Sequence, residues 1–443
     1  MKHIFQPLKH WALLAGLGGM LGVAQATVTV LGWPGGPEEA ALRAAAKVYN
    51  EKSDVAAADK VELIFFSRDG FFDKLQADLA AGTKAFDANL IATYSIGRYA
   101  PFMKPIELGS GAQDLFGKSV LSTMQYEGKQ YGVPTDLSLH FMYYRSDLIE
   151  ALLRDKSAHA TYGAIAKKYL GRTLVPKEPN EWTWEDYAAT ALYFTQSINP
   201  KSPTKYGTVL QLKNLLFNMM VFHSLPRSYG ADWMDKTGNI TVQSEAYKKA
   251  LQLYKTLLDA GATPKDSLSY EYAEANAAYA AGQVATMMQW NAAAADLKDA
   301  KKSPKVALRT ATTAPPAGPQ GRFTHVHGLG LGINANGNNT EGAAKFLRWL
   351  ATPEAMNTYA LAGGAPGLSA NAVKSVSEKR PDLVPLGSYA VQYGFVMNGA
   401  TSAKALGVYE LQAKEFTGYW AGTQGLDKAL ENTSMGMAKL LKP

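Results

Sequence analysis

The chain has 443 residues, no cysteine, 47% hydrophobic residues and a formal net charge of +7. This length is too great for one ordinary core, so it predicts at least two packed units. Charged residues make up only 19% of the chain, and its apolar content is that of a globular protein, which excludes a mostly disordered protein. The lack of cysteine excludes a disulfide, a thiolate metal site, a cysteine nucleophile and a lipid-modified amino-terminal cysteine.

The first 26 residues have the pattern of a secretory signal peptide. Lys2 and Lys9 give a basic start, Trp11–Val23 is a short apolar run, and Ala24–Ala26 has the small-x-small pattern of a cleavage site. The apolar run has 13 residues, whereas a membrane span needs roughly 20. We therefore expect cleavage after Ala26 and no membrane anchor.

Charge and cysteine content also bear on partners and location. Without Lys2 and Lys9 the net charge falls from +7 to +5. The remaining basic residues are scattered among acids and form no clustered run, so we expect no nucleic-acid partner. An exported chain without a lipid-modified cysteine predicts a free periplasmic protein.

Strands and helices alternate at the start of the mature chain. Thr27–Leu31, Val61–Phe66 and Phe86–Thr93 read as strands, while helices begin at Pro37 and Phe71. This β-α-β-α-β order predicts an α/β fold with a parallel sheet that is covered by helices.

A glycine-rich strand is predicted further along the chain. In Gly328–Ile333 glycines alternate with apolar residues, which suits a strand that another backbone or a ligand approaches closely. His325 and His327 just before it are two residues apart and so share one face of a strand. Zinc would need more ligands at suitable spacing, so a structural or ligand-lining role is favoured, and we predict no metal and no cofactor.

Motifs for catalysis are absent from the sequence. There is no G-x-S-x-G elbow, no phosphate-binding G-x-x-x-x-G-K-[ST] loop, no H-E-x-x-H and no G-x-G-x-x-G followed by a helix. Carboxylates paired in space for glycoside hydrolysis stay open, because such pairs are invisible in one sequence. The sequence thus gives no positive support for an enzyme.

Aromatic residues at the ends of predicted strands and beside turns are a better signal. They are Trp33, Tyr94, Trp182, Trp233 and Trp290. A ring placed just past a strand end can reach a cleft, where its flat face stacks on the C–H face of a sugar. Core packing is the competing interpretation for each of them.

Five motifs resemble the extracellular solute-binding proteins of family 1, the sugar-binding receptors of ABC importers that include maltose-binding protein. They follow the family's order over essentially the whole mature chain. The first is Phe72–Leu75 through Ala80–Thr83 followed by Phe86–Leu90, and the others are Gly128–Pro134, Phe141–Leu148, Glu181–Asp186 and Ala280–Trp290. The chain departs from the pattern at Phe86, where proline is usual, at Asn89, which lies inside the strand, and at His327, where a small residue is commoner.

The resemblance implies a two-lobed periplasmic-binding-protein fold of type II, with a ligand cleft between the lobes and three hinge crossings. The implied crossings lie near Pro134–Leu139, His327–Leu331 and Gly363–Leu368. The implied lobes are 27–135 plus 329–362 and 136–328 plus 363–443.

The predicted function is capture of a sugar, oligosaccharide or polyol and its delivery to the transmembrane permease subunits of an ABC importer, without enzymatic activity and as a monomer. The predicted ligand-binding residues are Trp33, Tyr94, Asp136, Trp182, Trp290, His327 and Gly364. Asp136 follows the first crossing, where a carboxylate can accept hydrogen bonds from hydroxyls. Gly364 belongs to a glycine-rich third crossing.

Two alternatives stay open from the sequence. A receptor for a metal or an anion would use the pair Tyr143–Tyr144, although neighbours in a strand point to opposite faces. A secreted glycoside hydrolase or lyase is the other alternative.

Overall fold

The computed structural model describes residues 27–400 and 402–441. The predicted signal peptide, residues 1–26, lies outside the described residues. No helix in the described part of the chain is long and apolar enough to cross a membrane.

Strands and helices alternate through the described residues. The strands are β1 Val28–Gly32, β2 Val61–Phe65, β3 Ala88–Ala92, β4 Met103–Lys104, β5 Gln125–Tyr126, β6 Lys129–Gln130, β7 Gly132–Ser138, β8 His140–Arg145, β9 Tyr206–Val209, β10 Val284–Trp290, β11 Thr310–Thr313, β12 Ala317–Gly318, β13 Gly321–Arg322, β14 Thr324–His325, β15 His327–Asn334 and β16 Gly394–Phe395. The helices are α1 Gly36–Glu51, α2 Phe71–Ala80, α3 Ile96–Tyr99, α4 Ala112–Phe116, α5 Lys118–Ser122, α6 Ser146–Arg154, α7 Lys156–Leu170, α8 Trp184–Tyr193, α9 Leu216–Phe222, α10 Ser224–Ser228, α11 Glu245–Asp259, α12 Tyr272–Ala280, α13 Ala294–Leu297, α14 Thr340–Leu350, α15 Pro353–Leu361, α16 Val384–Tyr393, α17 Ala405–Trp420 and α18 Leu426–Leu440.

The first lobe is built on a six-stranded sheet in the order β2-β1-β3-β15-β4, with β7 also paired to β15. Strands β1, β2 and β3 are parallel, which confirms the prediction for this part of the chain. Strand β15 returns from much later in the chain and joins β3 in the antiparallel direction. The sheet therefore combines a parallel start with an antiparallel insertion.

The predicted glycine-rich strand is β15, and all of its residues are buried. A side chain at Gly330 would begin 2.3 Å from the carbonyl oxygen of Val133, and one at Gly332 would begin 2.5 Å from that of Tyr131. Any Cβ at these positions would collide with backbone that cannot move cheaply. The close approach of another backbone, predicted from the glycine pattern, is confirmed.

The second lobe is built on a four-stranded sheet in the order β11-β8-β10-β9. Strand β10 runs antiparallel to β8 and parallel to β9. This register sets Trp290, the last residue of β10, opposite His140, the first residue of β8. Helices pack around the sheet through large buried side chains, namely Trp184, Tyr187, Tyr247, Leu251, Phe416 and Trp420.

The chain passes between the two sheets where strands of one give way to strands of the other. Strand β7 ends at Ser138 in the first sheet, and β8 begins at His140 in the second. The chain returns to the first sheet between β11 and β15. After α15 it still lies against the first lobe at Ser369, whose N–H donates to Leu115 O at 2.8 Å. It has reached the second lobe by α17, where Thr417 Oγ1 donates to Leu212 O at 2.9 Å.

Candidate ligand-binding site

A small cavity of about 40 Å³, here called the inner cavity, lies between the two lobes. Residues from both lobes line it: Trp33, Glu38, Arg68, Tyr94, Ser138, Phe217, Tyr272, Trp290, Ala292, His327 and Leu329. This volume lies well below the range of about 300–1,000 Å³ that is typical of ligand pockets, so the walls have to move apart to admit a ligand larger than a few water molecules. Aromatic rings make up much of its wall, with a few polar groups between them.

The topology explains how the aromatic residues meet. Trp33 directly follows β1, Tyr94 comes two residues after β3, and Trp290 ends β10, so all three stand at strand ends that face the cleft. The His327 ring lies between the lobes, with its centroid 4.8 Å from that of Tyr94 and 5.0 Å from that of Trp290. The structure therefore brings together four of the seven predicted residues.

Glu38 is an ionisable residue of the inner cavity that the sequence did not single out. It lies in the first turn of α1 and lines the cavity. Burial, followed by repulsion from Asp136, raises the pKa of Glu38 to about 7, although Arg68 acts in the opposite direction. The only sequence signal was an acid in a helix first turn, which is also the ordinary complement of the helix dipole.

Arg68 and Tyr272 add polar groups from opposite lobes. Arg68 comes from the turn between β2 and α2, and its guanidinium carbon lies 4.8 Å from the centroid of Trp33. The Tyr272 hydroxyl is buried and makes no hydrogen bond within the described part of the chain. No sequence motif marks Arg68 or Tyr272, because the two residues approach the same cavity only in the folded chain.

Asp136 lies close to the inner cavity, but both oxygens of its carboxylate already accept hydrogen bonds from the protein. Its Oδ2 accepts a hydrogen bond of 2.5 Å from Tyr359 OH, and its Oδ1 accepts one of 2.7 Å from Ala365 N–H. Burial raises the pKa of Asp136, while these hydrogen bonds act to lower it. The carboxylate ties β7 to α15 and to the segment that follows it, and the ligand contact predicted for Asp136 stays a prediction.

Gly364 lies in the same segment after α15 and does not line the inner cavity. Its carbonyl accepts a hydrogen bond of 2.8 Å from Arg380 Nη1, and Arg380 also pairs with Asp382 at 2.7 Å. A Cβ at Gly364 would begin 2.0 Å from the Tyr359 ring, so only glycine fits there. We call Asp136, Tyr359, Gly364, Ala365 and Arg380 the hinge network.

Trp182 lies outside the inner cavity as well. Its ring is buried in the second lobe, and its Nε1 donates to Lys177 O at 2.9 Å. Trp233 is also buried, with Nε1 donating to Gln412 Oε1 at 3.1 Å. For these two residues core packing, the competing interpretation, describes the placement, since a position beside a turn suits a core ring as well as a ligand contact.

Three further buried histidines lie behind His327, which itself lines the inner cavity. They are His140, His223 and His325, and the sequence singled out only the pair His325 and His327. Burial lowers the pKa of His223 and of His325 to about 3, so these rings are neutral at neutral pH. The His140 ring lies 4.1 Å from the Trp290 ring, and thus supports a wall of the cavity from behind.

These histidines do not form a metal site among the described residues, and the two residues of the tyrosine pair have different surroundings. Within the described residues no group of three histidine, cysteine or acidic side chains is placed to hold a metal ion. The Tyr143 hydroxyl is buried and donates to Trp290 O at 2.9 Å, while Tyr144 is only half-buried. Tyr143 therefore packs in the second lobe, as expected for neighbours in a strand that point to opposite faces.

A cleft between two α/β lobes, joined at hinge crossings and lined by residues of both, defines a two-lobed binding protein of type II. Such a protein holds its ligand by closing the lobes. Residues 44–383 match the sequence profile of the family described as bacterial extracellular solute-binding protein. The chain belongs to this family.

Curated relatives are distant and match only part of the chain. A binding protein of Brucella abortus (strain 2308) is 26% identical over 288 residues, which are 64% of this chain and 62% of that protein. An amino-acid ABC transporter periplasmic-binding protein of Sinorhizobium fredii is 28% identical over 148 residues, which are 33% of this chain and 32% of that protein. The chain thus matches less than two thirds of the length of these relatives.

Solved structures match almost the whole chain. The maltose-bound T. maritima MalE3 has a TM-score of 0.78 at 20% identity, and covers 94% of this chain and 100% of its own. A solute-binding protein of Thermotoga lettingae with bound α-D-tagatose has a TM-score of 0.77 at 16% identity, with the same coverage. One of Agrobacterium vitis with bound D-mannitol has a TM-score of 0.73 at 19% identity, and covers 94% of this chain and 98% of its own. At these identities the likeness shows the fold.

Proposed function

We propose that this protein is a receptor that captures a sugar or polyol between its closing lobes and delivers it to the permease subunits of an ABC importer. The observation that carries the proposal is the inner cavity itself. Flat rings of Trp33 and Trp290 stand on opposite lobes, and Glu38, Arg68 and Tyr272 offer polar groups between them. Rings suit the weakly polar C–H faces of a sugar, and charged groups suit its hydroxyls.

Several further features belong to the same proposal. The protein acts as a monomer without catalysis, in the periplasm, after removal of a signal peptide by cleavage following Ala26. Its lobes comprise 27–135 plus 329–362 and 136–328 plus 363–443. Membership of an extracellular solute-binding family supports the location and the permease partner, and the sugar- and polyol-bound structural neighbours support the ligand class.

A second candidate ligand is an amino acid. Glu38 and Arg68 carry opposite charges on the wall of one small cavity, which suits the ammonium and carboxylate groups of a zwitterion. The Sinorhizobium fredii relative is named for amino-acid transport, which favours testing this class beside the carbohydrates.

A thermal-shift screen of monosaccharides, oligosaccharides, polyols and amino acids tests the proposal, because a ligand that binds the native state raises the melting temperature. The best compound is then titrated by calorimetry into wild type, Trp290→Ala and Trp349→Ala. We expect Trp290→Ala to lose affinity about 100-fold, or about 2.7 kcal/mol. Trp349, on the first lobe and away from the cavity, is the matched control and should keep wild-type affinity.

Three results would contradict the carbohydrate proposal. Wild-type affinity in the Trp290→Ala variant would contradict the stacking of the ligand on Trp290. A shift with amino acids alone would favour the second candidate. Release of free sugar from an oligosaccharide panel would indicate a hydrolase instead of a receptor.

A further inference from the structure

A second space lies directly outside the inner cavity, at the mouth of the cleft. This outer groove of about 230 Å³ is lined by Arg68, Gly70, Phe71, Phe72, Asp73, Asn214, Leu215, Leu216, Phe217 and Glu410. It is larger than the inner cavity and, like it, is formed by residues of both lobes. Arg68 and Phe217 line both spaces, so their side chains are the partition between them.

The partition is assembled from opposite lobes. Phe217, in α9 of the second lobe, packs edge-on against Trp33 of the first, with centroids 5.5 Å apart. The Arg68 guanidinium carbon lies 4.8 Å from the centroid of Trp33 and 5.6 Å from that of Phe217, so it covers both rings. Its Nη2 also reaches across the cleft to Glu271 Oε2 at 3.5 Å.

These contacts hold the bulky and charged side chain of Arg68 at one position. A guanidinium over two rings is stabilised by cation–π attraction, and a charge partner on the other lobe fixes its direction. Since the Trp33–Phe217 and Arg68–Glu271 contacts both cross the cleft, the partition is complete only when the lobes are closed. It therefore acts at the step at which the ligand is enclosed.

We propose that Arg68 and Phe217 set the length of the ligand, and limit the closed site to one sugar unit or one short polyol. This inference rests on the proposed carbohydrate function and adds a size class to it. A second unit would have to pass through the partition into the outer groove. That groove offers Phe72 beside the polar groups of Asp73, Asn214 and Glu410, so it can receive a further unit once the partition is removed.

The experiment is native mass spectrometry of the full mature chain with an equimolar pool of pentoses, hexoses, C5–C6 polyols and di- to tetrasaccharides. The mass of each bound species reports its number of units. The variants are Arg68→Ala and Phe217→Ala, with Arg68→Gln and Phe217→Leu as milder versions if a melting curve shows that either alanine variant is unfolded. Lys213→Ala is the matched control, because Lys213 also pairs across the cleft, with Asp69 at 3.9 Å, but lines neither space.

We expect wild type and Lys213→Ala to bind single units only, and the Arg68 and Phe217 variants to gain disaccharide and longer adducts. Longer adducts on wild type would overturn the inference, as would variants that stay restricted to single units. Longer adducts on Lys213→Ala would overturn it too, because any loosening of closure would then suffice. No adduct on any folded protein would contradict the proposed function itself.

Discussion

Two carboxylates near the floor of the cleft have opposite environments. Glu38 and Asp136 both line a small space behind Trp33, and burial raises the pKa of each. Asp136 is saturated, since Tyr359 OH and Ala365 N–H donate to its two oxygens. Glu38 receives a hydrogen bond from its own backbone N–H but none from another side chain, and it lines the inner cavity. One carboxylate holds the hinge network together, whereas the other is left for a ligand.

The difference shows how a buried polar group that stabilises the fold can be told from one that binds a ligand. A buried polar group without hydrogen-bond partners lowers the stability of the fold, so a protein retains one only where another interaction, such as ligand binding, offsets this loss. Groups whose hydrogen-bonding capacity is filled by the protein stabilise the fold. Groups that line a cavity and have capacity left over can bind a ligand. Substitution of the two classes should therefore have opposite consequences.

The largest effect is expected at the hinge. Asp136→Ala removes the acceptor of two buried donors, each of which costs about 1–3 kcal/mol when left unpaired. We expect the free energy of unfolding to fall by about 2–6 kcal/mol, measured by urea denaturation of the ligand-free protein. An equal loss of unfolding free energy in Glu38→Ala would contradict the distinction between the two carboxylates, because that variant leaves no such donors unpaired.

The sequence could predict the fold class and the aromatic part of the cavity. Trp33, Tyr94 and Trp290 follow strands whose periodicity is readable, and strand ends of neighbouring strands meet at one edge of a sheet. The glycine pattern of β15 likewise records a close backbone approach in a form that one sequence displays. Those signals are local along the chain.

The remaining residues of the site depend on distances that no single sequence displays. Glu38 looked like an ordinary acid in a helix first turn, and Arg68 and Phe217 meet only because two lobes close. Asp136 lies in the predicted neighbourhood, but its two donors come from residues more than 200 positions later. Trp182 shows the reverse problem, since a tryptophan beside a turn has the same sequence signature in a core as in a cleft.

The second effect, of intermediate size, concerns the pH dependence of binding. With a pKa of about 7, Glu38 is mostly protonated at pH 6 and mostly ionised at pH 8. If the carboxylate accepts hydrogen bonds from ligand hydroxyls, affinity should rise about tenfold between these pH values, because binding follows the ionised fraction. Glu38→Gln should bind weakly and without this dependence, as measured by calorimetry at both pH values.

The same variant should stabilise the ligand-free protein at high pH. A carboxyl whose pKa is raised on folding contributes stability below its unfolded pKa, and that stability is lost as the pH rises through 7. Glutamine has no charge to bury, so Glu38→Gln should exceed wild type by about 1–3 kcal/mol at pH 8 and by less at pH 5. Weaker binding together with a more stable fold is the signature of a recognition group, and a destabilised Glu38→Gln would assign Glu38 to the fold instead.

The smallest effect separates two tyrosine hydroxyls. Tyr272 lines the inner cavity, and its buried hydroxyl makes no hydrogen bond among the described residues, whereas that of Tyr359 donates to Asp136. A neutral hydrogen bond contributes about 0.5–1.5 kcal/mol, so Tyr272→Phe should lower ligand affinity by about 2- to 12-fold at unchanged stability. Tyr359→Phe should instead lower the free energy of unfolding by a similar amount, because it strips one donor from a buried carboxylate. Loss of stability in Tyr272→Phe would mean that its hydroxyl supports the fold, and the rule that unsaturated groups mark recognition would fail at this position.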